Sequence, residues 1–272
     1  FGTKVSVVEF MDRLLPGLDE DVSQEIEEIA ENKGISIYTG SKVEEIIQDE
    51  KGRCIITFTN NGNKKYLTTD KVLISIGRQP YLDNLGIDKL DMELNDNRRG
   101  IKVNEKMMTS IPNIFAVGDA TGTIQLAHIA STQGVVAANN IMGIEDNMNY
   151  NVVPSAIFTD PEIASVGISE KYALDNNMDI EIGKFPIASN GKALTLGVSE
   201  GFVKIIVDKS TKEILGASIV GPNATDLINE ISIAMTNKLK VEDLTKTIHP
   251  HPTTSEAIFE ALLDSSGICI HN

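Results

Sequence analysis

The chain has 272 residues, with 24 Lys and Arg against 39 Asp and Glu, a formal charge of −15, and 41% hydrophobic residues. That charge repels phosphate backbones and anionic lipid surfaces, so it argues against nucleic-acid and membrane partners, and no apolar run approaches membrane-spanning length. The length suits about two domains, and the only two cysteines, Cys54 and Cys269, form no C-x-x-C pair, which points to a reducing cytoplasm.

Residues 3–10 read at once as a strand, as though the sequence enters a fold partway through. Residues 19–33 predict an amphipathic helix, with Val22, Ile26, Ile29 and Ala30 on one face. Acidic residues load its start and Gly34 closes it. Residues 35–38 return as a strand, completing the β-α-β unit of a nucleotide-binding sheet. Glu9 ends the first strand. In a dinucleotide fold an acid at that point accepts hydrogen bonds from the adenine ribose and disfavours a 2′-phosphate. From position alone, a solvated strand-end carboxylate is the plainer reading. The Gly-rich phosphate loop expected before Glu9 lies outside the sequence.

Residues 54–76 look antiparallel. The run 54–59 alternates, Asn60-Asn61-Gly62-Asn63 is a turn signal, and residues 66–69 lead into an apolar strand predicted over 71–76. Gly77 comes next, where a glycine either lets a cofactor approach the backbone or makes a turn. After the polar stretch 83–110, a short buried strand ends in Val117-Gly118-Asp119. An aspartate there either binds ligand hydroxyls or caps the next turn of the chain. A helix then runs from Leu126-Ala127-His128 to about residue 140, and a helix N-terminus favours an anionic ligand.

Past Tyr150 the pattern becomes α+β. Strands are expected over 152–159, 201–207 and 214–220, and helices over 169–176, 224–237 and 241–247. The final motif is Ile248-His249-Pro250-His251-Pro252-Thr253-Thr254-Ser255-Glu256-Ala257. Prolines stiffen the backbone on both sides of His251, and Glu256 stands within reach of its ring. A carboxylate so placed orients a histidine base. The same residues also spell a helix capping box, with Thr253 as N-cap and Glu256 as the third helical residue. On spacing alone the cap is the commoner reading, and the two are compatible.

HPHPTTSEA closely resembles the C-terminal signature of the dihydrolipoyl dehydrogenases, within the flavin-dependent pyridine-nucleotide disulfide oxidoreductases. ISIGRQP, the segment 111–120, FTDPEIASVG and GASIVGPNATDLINEISIAM are similar to further segments of that family. The resemblance implies that His251 is the acid/base catalyst and Glu256 its partner. It also implies that Glu9, Val43 and Gly77 contact NAD, and that Gly118, Asp119 and Ala127 contact FAD. The implied fold class is an N-terminally truncated, Rossmann-like α/β domain followed by an α+β dimerisation domain. Its parts would be an NAD domain (1–82), a central FAD-contacting segment (83–149) and an interface domain (150–272).

Electrons would pass from dihydrolipoamide to an enzyme disulfide, then to FAD and NAD, in a homodimer serving the lipoyl domain of a 2-oxo-acid dehydrogenase or glycine-cleavage complex. Three departures stand out. Gln125 occupies a slot that is commonly Met, Asp160 one that is often His, and Pro250 one that is often Ala. The family's redox C-x-x-x-x-C and FAD Gly-rich loop are absent from the sequence, so the chain alone is expected to be inactive. The alternatives are a glutathione-reductase-like enzyme, which Glu9 and the double-histidine HPHPT argue against, and a dimerisation module without catalysis. A mercuric reductase fits less well, since the tail holds only Cys269.

Overall fold

The computed structural model describes residues 2–95 and 99–271. β1 (Ser6–Val8) and β2 (Ser36–Tyr38) pair in parallel, Ser6 opposite Ser36 and Val8 opposite Tyr38. Parallel neighbours need a long crossover, and helix α1 (Glu20–Asn32) supplies it. α1 lies one residue inside each expected boundary and buries Val22, Ser23, Ile26 and Ile29, with Glu20 and Asp21 in its first turn.

β3 (Ser41–Gln48), β4 (Cys54–Asn60) and β5 (Asn63–Thr69) form an antiparallel sheet in that order. Asn61 and Gly62, with φ of 49° and 75°, make the expected two-residue hairpin turn. β3 escapes sequence reading because its register shifts between Val43 and Glu45. An extra residue there breaks the period of two that identifies a strand. The strand predicted over 71–76 does not form: the segment joins no ladder, with Leu73 and Ile76 more than nine-tenths exposed. Apolar composition makes a segment willing to be a strand, but only a neighbouring ladder makes it one, and none among the described residues adjoins it.

Residues Leu73–Asn151 form a compact unit of their own. The buried strand expected near Phe115 is reduced to one bridge, Met108 opposite Phe115, although Ala116 is buried. A tight 3-10 turn over Gly118–Thr121 precedes helix α2 (Ala127–Ile141), which buries Ile129, Gln133, Val136 and Ala137.

Phe1–Val72 and Val152–Asn272 make the other unit. Its remaining elements are β6 (Ser155–Ile157), β7 (Glu162–Gly167), α3 (Glu170–Asp175), β8 (Ile180–Pro186), α4 (Gly191–Thr195), β9 (Phe202–Asp208), β10 (Ile214–Gly221), α5 (Ala224–Thr236), α6 (Val241–Thr245) and α7 (Glu256–Asp264). The strands form an antiparallel sheet ordered β6-β7-β10-β9-β8. One face carries α5, α6 and α7 on Val203, Ile205, Val207, Ala217 and Ile219. The other takes α1 against Ile163, Phe202 and Val220.

Burial on both faces explains why β9 is nearly all apolar. Its buried polar residue, Lys204, is 1% exposed and lies within ion-pair distance of Asp19, Asp21 and Glu170. Burial alone would depress the Lys204 ammonium, but Asp21 and Asp19 hold it above its ordinary value. Among the described residues no helix is long and apolar enough to cross a membrane.

Candidate functional site

Helix α7 is fixed before its first side chain is considered. Ala257, Ile258, Ala261 and Leu262 are fully buried in the sheet-facing core. Gly183 on β8 lets the helix come close, since a Cβ there would lie 1.9 Å from the Ala261 carbonyl oxygen and 2.6 Å from Ser265 N. The segment leading into α7 is tied down by Asn190, whose side chain donates to the Thr253 carbonyl at 3.1 Å. Asn223 reaches the Thr254 hydroxyl at 3.4 Å.

Glu256 is the first helical residue rather than the third, as the capping-box reading expected. The Thr253 hydroxyl does not cap; it donates to the Pro250 carbonyl and lies 2.9 Å from the Ser255 hydroxyl. Half of the box survives, with Thr253 N–H donating to Glu256 Oε2 at 2.8 Å. The other oxygen, Oε1, lies 2.9 Å from His251 Nδ1. One carboxylate therefore serves both readings of the motif.

Partial burial pushes the Glu256 carboxyl up, but the Thr253 N–H and the His251 ring outweigh it and hold the group below the ordinary carboxylate value. An ionised carboxylate only accepts, so His251 donates from Nδ1 and leaves Nε2 as the acceptor nitrogen. The His251 side chain is 80% exposed, which turns that nitrogen to solvent. A braced imidazole with an open acceptor nitrogen can take a proton and return it.

The other expected residues fall in two groups. At the end of β1, Glu9 donates its N–H to the Tyr38 carbonyl and accepts from Ser41 N, which sets the β1 end beside the start of β3. Its Oε1 accepts from Met11 N at 2.8 Å. Val43 sits at the β3 bulge with an exposed side chain. Asp160, the departure from His, pairs with Lys33 at 2.8 Å.

The second group lies within the Leu73–Asn151 unit. Gly77 has φ of 109°, a conformation open to glycine, and the neighbouring Arg78 Nε is 3.8 Å from Asp119 Oδ2. Gly118 has φ of 68°, and its N–H donates to the buried Gln133 Oε1 at 2.6 Å. Ala127 begins α2, whose N-cap, Leu126, makes no side-chain cap bond. Just before it, Gln125 Nε2 is buried with no hydrogen-bond partner. Leaving such a donor unmade costs about 1–3 kcal/mol. An unmet amide donor at a helix start fits the carbonyl edge of a flavin. Sequence reading missed Gln125 as a donor, and its signal was the polar residue in a slot that is commonly Met. Among the described residues no group of three or more His, Cys, Asp or Glu could hold a metal.

The chain matches the family described as pyridine nucleotide-disulphide oxidoreductase over residues 1–134, and that family's dimerisation domain over 153–262. It is 40% identical to the dihydrolipoyl dehydrogenase of Bacillus subtilis (strain 168), covering 100% of this chain and 57% of the relative. Among solved structures it is similar to LpdA from Mycobacterium tuberculosis, with TM-score 0.88 and 28% identity over 96% of this chain and 56% of that one. It is also similar to the HOCl-induced flavoprotein disulfide reductase RclA from Escherichia coli, with TM-score 0.86 and 27% identity over 98% of this chain and 60% of that one. The chain thus spans somewhat over half the length of the curated relatives it matches, and it belongs to the pyridine nucleotide-disulphide oxidoreductase family.

Proposed function

We propose that this chain is the C-terminal portion of a dihydrolipoyl dehydrogenase, an enzyme that reoxidises dihydrolipoamide with NAD+. The observation that carries this reading is the His251–Glu256 pair, with its braced Nδ1 and open Nε2. A thiol titrates near 8.5 and reacts only as thiolate. His251 Nε2 takes the proton of a substrate thiol, and the imidazolium formed is stabilised by the carboxylate against Nδ1. The thiolate is then free to attack a disulfide.

Cofactor roles accord with the same reading. Gly118, Asp119, Ala127 and Gln125 would hold FAD, and Glu9, Val43 and Gly77 would hold NAD, with Glu9 Oε2 left for a ribose hydroxyl. Bound flavin would supply the electron acceptor between the dithiol and NAD+. The parts are an NAD domain (1–82), a central segment (83–149) and an interface domain (150–272). The assembly is a homodimer that meets the lipoyl domain of a 2-oxo-acid dehydrogenase or glycine-cleavage complex in the cytoplasm.

Cys54 on β4 and Cys269 in the tail are both free thiols, far apart in sequence, so neither supplies a redox pair for the relay. The 272-residue chain alone is therefore inactive in lipoamide-dependent NAD+ reduction, and robust turnover by it would reject that statement. The test of the role itself is His251→Gln in the flavin-loaded enzyme containing this chain. Stopped-flow reduction by dihydrolipoamide should slow by about two to four orders of magnitude; an unchanged rate sinks the assignment. The same free thiols support a second reading, a dimerisation module without cofactor, and a colourless dimer from purified chain would favour it.

A further inference from the structure

The His251 ring is almost bare of packing, so neighbouring side chains do little to hold it. Two residues earlier the opposite holds. The His249 side chain is 8% exposed and turns inward between two helices. Its Nε2 lies 2.9 Å from Glu230 Oε1 on α5, and its Nδ1 lies 3.2 Å from the Thr247 carbonyl oxygen. Its ring centroid is 5.5 Å from that of Phe259 on α7. The shorter contact is to Glu230, whose carboxylate oxygen only accepts, so it takes the ring's Nε2–H. A carboxylate partner makes the Glu230 bond one of the stronger kind.

This anchor limits what the chain can do next. His249 is held by α5 and α7, and Thr253 is held by Asn190 and Glu256. Between these points lie only Pro250, His251 and Pro252. Each proline fixes its own φ, and Pro252 further restricts His251. The backbone that presents His251 is clamped at both ends and stiff between them, leaving side-chain rotation as its chief freedom. Glu256 takes that up through Nδ1.

We infer that His249 is a positioning residue: clamped by Glu230 and Phe259, it holds the backbone so that His251 stays in the Nδ1–H tautomer against Glu256. This rests on reading His251 as the proton acceptor, because only that role requires Nε2 to be bare. Preorganisation of this kind matters because a catalytic group must sit within about 0.5 Å of its productive place.

The tautomer is read directly from the ring nitrogen shifts of the 15N-labelled 272-residue chain, at a pH where its histidines are neutral. Wild type should show His251 as Nδ1–H. Glu256→Ala should lose that signature. His249→Phe keeps an aromatic ring beside Phe259 but cannot bond Glu230, and it too should lose the signature. Glu230→Gln retains an acceptor oxygen and should keep it. Should His249→Phe fail to fold, Glu230→Ala removes the same bond from a more exposed side chain and carries the same expectation. If Glu256→Ala loses the Nδ1–H form while His249→Phe or Glu230→Ala keeps it, the inference is overturned and the proton-acceptor reading stands. If Glu256→Ala also keeps it, the pair itself is not what orients the ring, and that reading falls too.

Discussion

Helix α7 carries two glutamates one turn apart, and each binds a histidine through Nδ1. Glu256 takes His251 at 2.9 Å and Glu260 takes His271 at 2.6 Å. Their surroundings differ. Glu256 is partly exposed and has one further bond, to Thr253 N. Glu260 is 4% exposed and also meets Cys269 Sγ at 3.2 Å, Ile270 N at 2.9 Å and His271 N at 3.3 Å. A carboxylate bound by so many donors is committed to holding the tail against the helix. The comparison teaches that a His–Glu pair is no signature of catalysis by itself. The His251 pair differs in having its histidine on a clamped backbone rather than on the segment being held.

The largest effect should separate the two histidines. In the enzyme containing this chain, His251→Gln is expected to cost about two to four orders of magnitude in dithiol oxidation. His271→Gln should leave that rate within about two-fold, as a surface change does. Comparable losses in both would break the comparison. A smaller effect should strike both carboxylates together. Gly183→Ala drives a methyl into the Ala261 carbonyl and Ser265 N, which pushes α7 off β8. Overpacking of this kind costs about 1–3 kcal/mol, measurable as a lower denaturation midpoint at unchanged slope.

How far the sequence foretold these features depends on how local their causes are. α1, the Asn61-Gly62 hairpin and the His251–Glu256 pair were legible because each is set by residues only a few positions apart. The bulge hides β3, and the 71–76 segment has strand-like composition without being a strand, because strand formation depends on a neighbour that local composition cannot report. The His249–Glu230 contact joins residues nineteen positions apart on separate elements, and no local pattern announces it. The ion pairs of Lys204 on β9 with Asp19 and Asp21, at the start of α1, likewise join residues far apart in sequence, and no local pattern marks them.

The finest test of the comparison concerns the tail. Burial pushes the Cys269 thiol up, and the hydrogen bond and charge of Glu260 push it further. Glu260→Gln removes the charge, so the thiolate fraction rises and alkylation of Cys269 at pH 8 should quicken measurably. Glu256→Gln should leave that rate unchanged. Acid should act in the same direction as the Glu260 substitution on the tail's hold. Burial raises the Glu260 carboxyl, but His271, Ile270 and Cys269 outweigh it and the group stays below its ordinary value. A depressed folded pKa contributes stability that is present above the unfolded value, about 4.3, and is lost as pH falls through the lower folded one. Amide exchange at Ile270 and His271 should accelerate over that interval, relative to the intrinsic rate, in wild type and much less in Glu260→Gln. Equal sensitivity of Cys269 to the two glutamate substitutions would show that the carboxylates act as one electrostatic patch rather than as two separate devices.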